Sequence, residues 1–120
     1  MSAPAREVFR CPLATLPEGS ARGFEWDGGG FGRNGFVVRR GGAVHAYLNQ
    51  CPHTGGRLDW KPDAFLTKDR SLIMCATHGA NFRIDDGFCT AGPCQGMWLR
   101  PLAAAIDGDE VVVRAGAAAG

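Results

Sequence analysis

The chain has 120 residues, 13 lysines and arginines against 12 aspartates and glutamates, a net charge of +1 and 45% apolar residues. That length makes one domain with a real core, burying about 65% of the unfolded surface, and so even a charge balance leaves no field to hold nucleic acid or a membrane surface. No apolar run approaches the roughly 20 residues of a spanning helix, and Arg6-Glu7 and Pro12 interrupt any apolar core of a secretory signal. A cytoplasmic location is therefore expected, where cysteines more often serve metal or redox chemistry than disulfides.

Eighteen glycines and seven prolines imply many turns. No long stretch carries a helical period, so the sequence predicts an all-β protein of short strands. Residues 1–7 are a lead-in, and Val8–Leu16 is a first edge segment because Pro12 and Pro17 cannot donate to a ladder. Gly23–Trp26 is a short strand, and the glycine-rich stretch Asp27–Gly35 a loop. The clearest hairpin follows: Gly35–Arg40 runs out, Gly41-Gly42 turns, and Ala43–Asn49 returns to deliver the chain into Cys51. Arg39-Arg40, with Arg33 nearby, reads as a solvated hairpin face.

Cys51–Asp59 is a loop, Trp60–Asp69 a longer connection, and Pro62–Leu66 is expected to make one helical turn. Ser71–Met74 is an apolar strand ending on Cys75. Gly79 turns the chain, Ala80–Ile84 is a strand, Asp85-Asp86-Gly87 is a turn, and Phe88–Thr90 returns. Ala91–Gly96 is a third loop. The last hairpin has arms Ala103–Ile106 and Val111–Arg114, and residues 115–120 form a low-complexity tail, expected to be disordered.

Two short mixed arms stand out: Cys51-Pro52-His53 and Cys75-Ala76-Thr77-His78. Each offers one thiolate and one imidazole, both ligands for soft and borderline metals. Their tight spacing puts each pair on a single loop, and each loop starts where a predicted strand ends. A structural zinc site would normally pair like residues, as C-x(2–4)-C and H-x(3–5)-H, and mixed arms with a one-residue gap fit that poorly. His45 sits inside a hairpin strand and reads as structural, and Cys11 as a small apolar filler. Cys89 and Cys94 flank Gly92-Pro93; a stapling disulfide, two free thiols and plain packing are all open, with free thiols favoured in a reducing compartment. Phe24, Trp26, Phe36, Tyr47, Phe65, Phe82, Phe88 and Trp98 are assigned mostly to the core. No nucleophile–base arrangement or phosphate loop is present.

C-P-H-T-G-G and C-A-T-H-G-A, in that order, resemble the two halves of the Rieske motif, C-x-H and C-x-x-H, and Gly79 and Gly92-Pro93 match that family's glycine and cover loop. The resemblance runs from about Phe36 to Arg114. It implies one [2Fe-2S] cluster, with Cys51 and Cys75 on a buried iron and His53 and His78 on the outer one. It also implies a Rieske-like stack of antiparallel sheets, with a small cluster-binding subdomain (about 47–95) on a base (about 8–46 and 96–114). Two ferric ions, two sulfides and two thiolates sum to zero, so an added electron is easier to accommodate than at a four-thiolate centre, and such clusters span about −150 to +300 mV.

High-potential members in respiratory bc complexes carry a serine two residues after the second histidine and a tyrosine two further on. Here those positions are Ala80 and Phe82, which donate nothing, and the positions of their inter-loop disulfide are Gly56 and Thr77. A low potential is therefore expected. The implied role is a ferredoxin-type electron carrier, without a substrate site of its own, between a reductase and an oxygenase or other acceptor. The alternatives are a small Rieske subunit of an oxidoreductase complex, such as a nitrite reductase or ring-hydroxylating oxygenase, and a redox or iron sensor.

Overall fold

The protein is described by a computed structural model that covers residues 6–29, 33–52, 56–59, 63–75 and 79–115. Its strands are β1 (Arg6–Pro12), β2 (Ala21–Glu25), β3 (Asn34–Arg40), β4 (Ala43–Leu48), β5 (Leu72–Met74), β6 (Asn81–Arg83), β7 (Cys89–Ala91), β8 (Pro101–Asp107) and β9 (Glu110–Ala115), with a 3-10 turn at Leu13–Thr15. No described helix is long and apolar enough to cross a membrane.

Two antiparallel sheets result: six strands in the order β1-β9-β8-β4-β3-β2, and three in the order β5-β6-β7. Gly41 and Gly42 take φ of +63° and +80°, the left-handed pair that a two-residue turn needs to match the twist of β3 and β4. The proline positions follow from the missing N–H: Pro12 ends edge strand β1 and Pro101 begins β8. The large sheet curls until its two edges meet. Phe9 of β1 stacks on Phe24 of β2 with ring centroids 4.5 Å apart, and the Arg22 guanidinium covers the Phe9 ring. The edges thus close on side chains rather than on a ladder, which shields unpaired backbone from other chains.

The period of two along β3 and β4 sends side chains to opposite faces, and both faces are buried. Val37 and Ala46 join Cys11, Leu16, Leu102, Val111 and Val113 inside the curled sheet. Phe36, Val38 and Tyr47 face the three-stranded sheet and meet Leu58, Phe65, Ile73, Phe82, Ile84 and Leu99. Phe36 and Phe65 stack at 4.3 Å. The Tyr47 hydroxyl donates to the Ile84 carbonyl at 2.6 Å, and burial pushes its pKa well above the usual phenol range. Cys11 is a buried filler, as its sequence context implies.

Three expectations need correction. The helical turn at Pro62–Leu66 does not form over the described residues 63–66: Asp63 has φ +64°, Leu66 bridges to Ile73, and the Phe65 carbonyl accepts the Met74 N–H at 2.8 Å. Stacking of Phe65 on Phe36 and pairing with β5 draw the segment into extended form. Trp98 is not core: it is 56% exposed and edges onto the half-buried Phe88 at 4.8 Å, because it leaves the ladder on the outer side. Arg39 is not a solvated charge either. It is half-buried, and its guanidinium donates to the Leu13 and Leu16 carbonyls, while Arg40 donates to the Ser71 carbonyl. The hairpin arginines close carbonyls of neighbouring segments. Residues 116–120, where the tail was expected, lie outside the described residues.

Candidate metal centre

Both cysteines of the two arms are buried, Cys51 at 1% exposure and Cys75 at 0%, and both belong to the core cluster between the sheets. Cys75 follows β5 directly, and Cys51 follows the end of β4 after Asn49 and Gln50. Beyond the end of β4, the Cys51 N–H donates to the Gly56 carbonyl at 2.8 Å. Beyond β5, the Cys75 N–H donates to the Ala80 carbonyl and the Gly79 N–H returns to the Cys75 carbonyl, both at 2.8 Å. Gly79 has φ +69°, so a glycine is what lets the second loop fold back on its own first residue. His53 and His78 lie outside the described residues. Among the described residues no group of three histidine, cysteine, aspartate or glutamate side chains stands ready for a metal ion, and the ligand set read from sequence draws half its members from beyond them.

A brace that sequence reading passed over holds the first loop. Asn49 is 2% exposed. Its amide oxygen accepts the Leu58 N–H at 2.7 Å, its amide nitrogen donates to the Asp59 carboxylate at 2.9 Å, and its own N–H donates to the Asn34 carbonyl at 3.0 Å. One side chain therefore ties the entry of the loop to its exit. The available signal was an asparagine closing an alternating apolar strand, since a buried amide must find partners.

The third loop meets the chain at Ala80, just past the second. Gly92 has φ +102°, and a Cβ built there would stand 2.7 Å from the Ala80 Cα and 2.9 Å from its Cβ. Only a residue without a side chain lets the loop seat this closely. The loop is closed at its base by Cys89 N–H to Met97 carbonyl (2.8 Å) and Met97 N–H to Cys94 carbonyl (2.9 Å). Pro93 is exposed and Pro52 half-buried. Ala80 and Phe82 are both fully buried and bring no hydroxyl to this core. Cys89 and Cys94 are buried too, and desolvation, then the hydrogen bond with Cys89, push the Cys94 thiol up to about 12. His45 is half-buried on β4, opposite Val38, away from these loops.

The donor chemistry fits an iron–sulfur centre: two thiols in a dry core, each on a residue whose backbone is hydrogen-bonded to the far side of its loop. Residues 7–112 match the family described as the Rieske [2Fe-2S] domain. The chain is similar in structure to the ferredoxin of carbazole 1,9a-dioxygenase from Nocardioides aromaticivorans IC177, at 29% identity and TM-score 0.68, over 92% of this chain and 97% of that one. It is similar in fold to a chain in the complex of reduced oxygenase and oxidized ferredoxin of carbazole 1,9a-dioxygenase (23% identity, TM-score 0.68, 86% and 87% covered). The same holds for the terminal oxygenase of carbazole 1,9a-dioxygenase from Novosphingobium sp. KA1 (22%, TM-score 0.68), where 93% of this chain matches 29% of that one. No curated protein sequence matches closely enough to count as a relative.

Proposed function

The chain belongs to the Rieske [2Fe-2S] domain family, and from that premise we propose that it is a low-potential electron carrier that takes single electrons from a reductase and hands them to an oxygenase. The observation that carries the reading is the likeness to a dioxygenase ferredoxin over 97% of that protein's length. The proposed ligands are Cys51, His53, Cys75 and His78. The cluster, when bound, supplies a one-electron couple. The chain's own residues do the rest. Cys51 and Cys75 hold their thiolates in a core that excludes water, Asn49 holds the first loop closed, and Gly92 lets the third loop meet the chain at Ala80. Ala80 and Phe82 withhold hydrogen bonds from the sulfurs and so keep the potential low. We further propose the division into a cluster-binding part (about 47–95) and a base (about 8–46 and 96–114), a role without a substrate site of its own, and a cytoplasmic setting.

The test is EPR and redox titration of the isolated, iron-loaded protein. The expected result is a dithionite-reduced signal with the low average g of mixed cysteine–histidine ligation, and a midpoint nearer −150 mV than the upper end of the range of about −150 to +300 mV. A colourless, EPR-silent, zinc-containing protein overturns the ligand set, and a midpoint above about +100 mV overturns the low-potential reading.

A further inference from the structure

The loop that seats on Ala80 carries a second pair of sulfurs that the ligand set does not use. Cys89 opens β7 and Cys94 lies in the turn that follows. Their Sγ atoms are 2.9 Å apart, closer than two sulfurs in ordinary contact, against about 2.05 Å for a bonded pair. The backbone holds them there without help from the sulfurs. Gly96 donates its N–H to the Cys89 carbonyl (3.3 Å), beside the two bonds through Met97 that close the base of the loop. Bond formation therefore asks little backbone movement. Pro93, Gln95 and Gly96 around Cys94 are exposed, while both sulfurs sit under the loop at 0% and 1% exposure.

We propose that Cys89 and Cys94 form a reversible dithiol–disulfide couple in the loop that packs on Ala80, with hydrogen peroxide as the oxidant. One thiol sulfur attacks a peroxide oxygen, the O–O bond breaks, and a sulfenic acid and one water form. The second thiol displaces the hydroxyl, the S–O bond breaks, the S–S bond forms, and a second water leaves. Two electrons pass from the sulfurs to the peroxide, and the two thiol protons end in water. A small dithiol reductant reverses the step by exchange. The bond would staple β7 to the turn and so fix Gly92 against Ala80. The couple requires neither histidine and no redox partner, so it stands apart from the electron-transfer reading.

The test uses the cluster-loaded protein, reduced with dithiothreitol, freed of it, and given one equivalent of hydrogen peroxide. The sample is then denatured in an alkylating agent and mapped by mass spectrometry, with cluster absorbance followed in parallel. The expected result is a fall from five alkylated cysteines to three, with the peptide holding Cys89 and Cys94 unalkylated and two hydrogens lighter. Absorbance stays constant, and dithiothreitol restores five. In C89S and in C94S the intrapeptide disulfide is lost while the variant still binds its cluster. Five alkylated cysteines after peroxide overturn the proposal. So does a disulfide between Cys51 and Cys75, bleaching of the cluster ahead of thiol loss, or sulfinic acid at Cys89 or Cys94 without the bond. An EPR result against the ligand set leaves this outcome untouched, so the two failures are distinguishable.

Discussion

The two sheets are stabilised in different ways. The six-stranded sheet has strands of five to seven residues, and a core of aliphatic and aromatic side chains with one thiol, Cys11. The three-stranded sheet has strands of three residues, and its core includes Cys51, Cys75, Cys89 and Cys94. Short strands leave few ladder bonds, so side chains close the loops instead. Asn49 ties 49 to 58 and 59, Asp69 takes the Thr67 and Ser71 hydroxyls and the Ser71 N–H, and Asp86 takes Arg83 and the Phe88 N–H. The large sheet is stable by its own packing. The small one is a loop frame that carries the proposed ligands Cys51 and Cys75, and metal binding there would be folding free energy. The same frame gives function its rigidity, since loops fastened at both ends hold ligands better than free ones.

Cys75→Ser breaks this comparison most sharply. Iron per chain is expected to fall from about two to near zero, with the small sheet losing amide protection while β1, β8 and β9 keep theirs by hydrogen exchange. Uniform loss of protection in both sheets would show that they are one cooperative unit. Asn49→Ala should cost about 2–3 kcal/mol in denaturant unfolding, because it strips the Leu58 N–H and the Asp59 carboxylate of a buried partner. It should also speed iron loss to a chelator. Tyr47→Phe removes a hydroxyl that joins the large sheet to the β6–β7 turn, an expected loss of about 1–2 kcal/mol with iron content unchanged.

The smallest effect is acid. Hydrogen bonds from Ser71 and Thr67 lower the Asp69 carboxyl to about 2, below its unfolded value of about 3.9. A depressed folded value means the stabilisation is complete above about pH 4 and is lost as pH falls toward 2. Asp69 is fully exposed, so the change is small. Asp69→Asn should flatten the pH dependence of the thermal midpoint over that window, with a small drop below wild type at neutral pH that vanishes toward pH 2.

Most strands were legible from the sequence because their signals are local. Gly41-Gly42 between two alternating runs specifies a hairpin, and Pro12 and Pro101 mark where ladders start or stop. The exceptions are instructive. Pro62–Leu66 reads as a helical turn by composition, yet Phe65 finds Phe36, some thirty residues earlier in the chain, and is pulled extended. Trp98 reads as core by its bulk and lies outside, because which face of a short strand is buried depends on the sheet it meets. Asn49 reads as a strand end and is the brace of the first loop, through partners nine and ten residues on.

The sequence by itself determined where most strands lie along the chain, the turn chemistry, the two mixed cysteine–histidine arms and the absence of hydroxyls at Ala80 and Phe82. Each of these rests on residue type and spacing within a few positions, where covalent geometry leaves few choices. Tertiary structure alone decided that Phe9 and Phe24 close the large sheet, that Gly92 rests on Ala80, and that Cys89 and Cys94 bring their sulfurs to 2.9 Å. Those facts depend on where separate loops and edges meet. Packing sets that meeting to within a fraction of an ångström, and no local pattern encodes it.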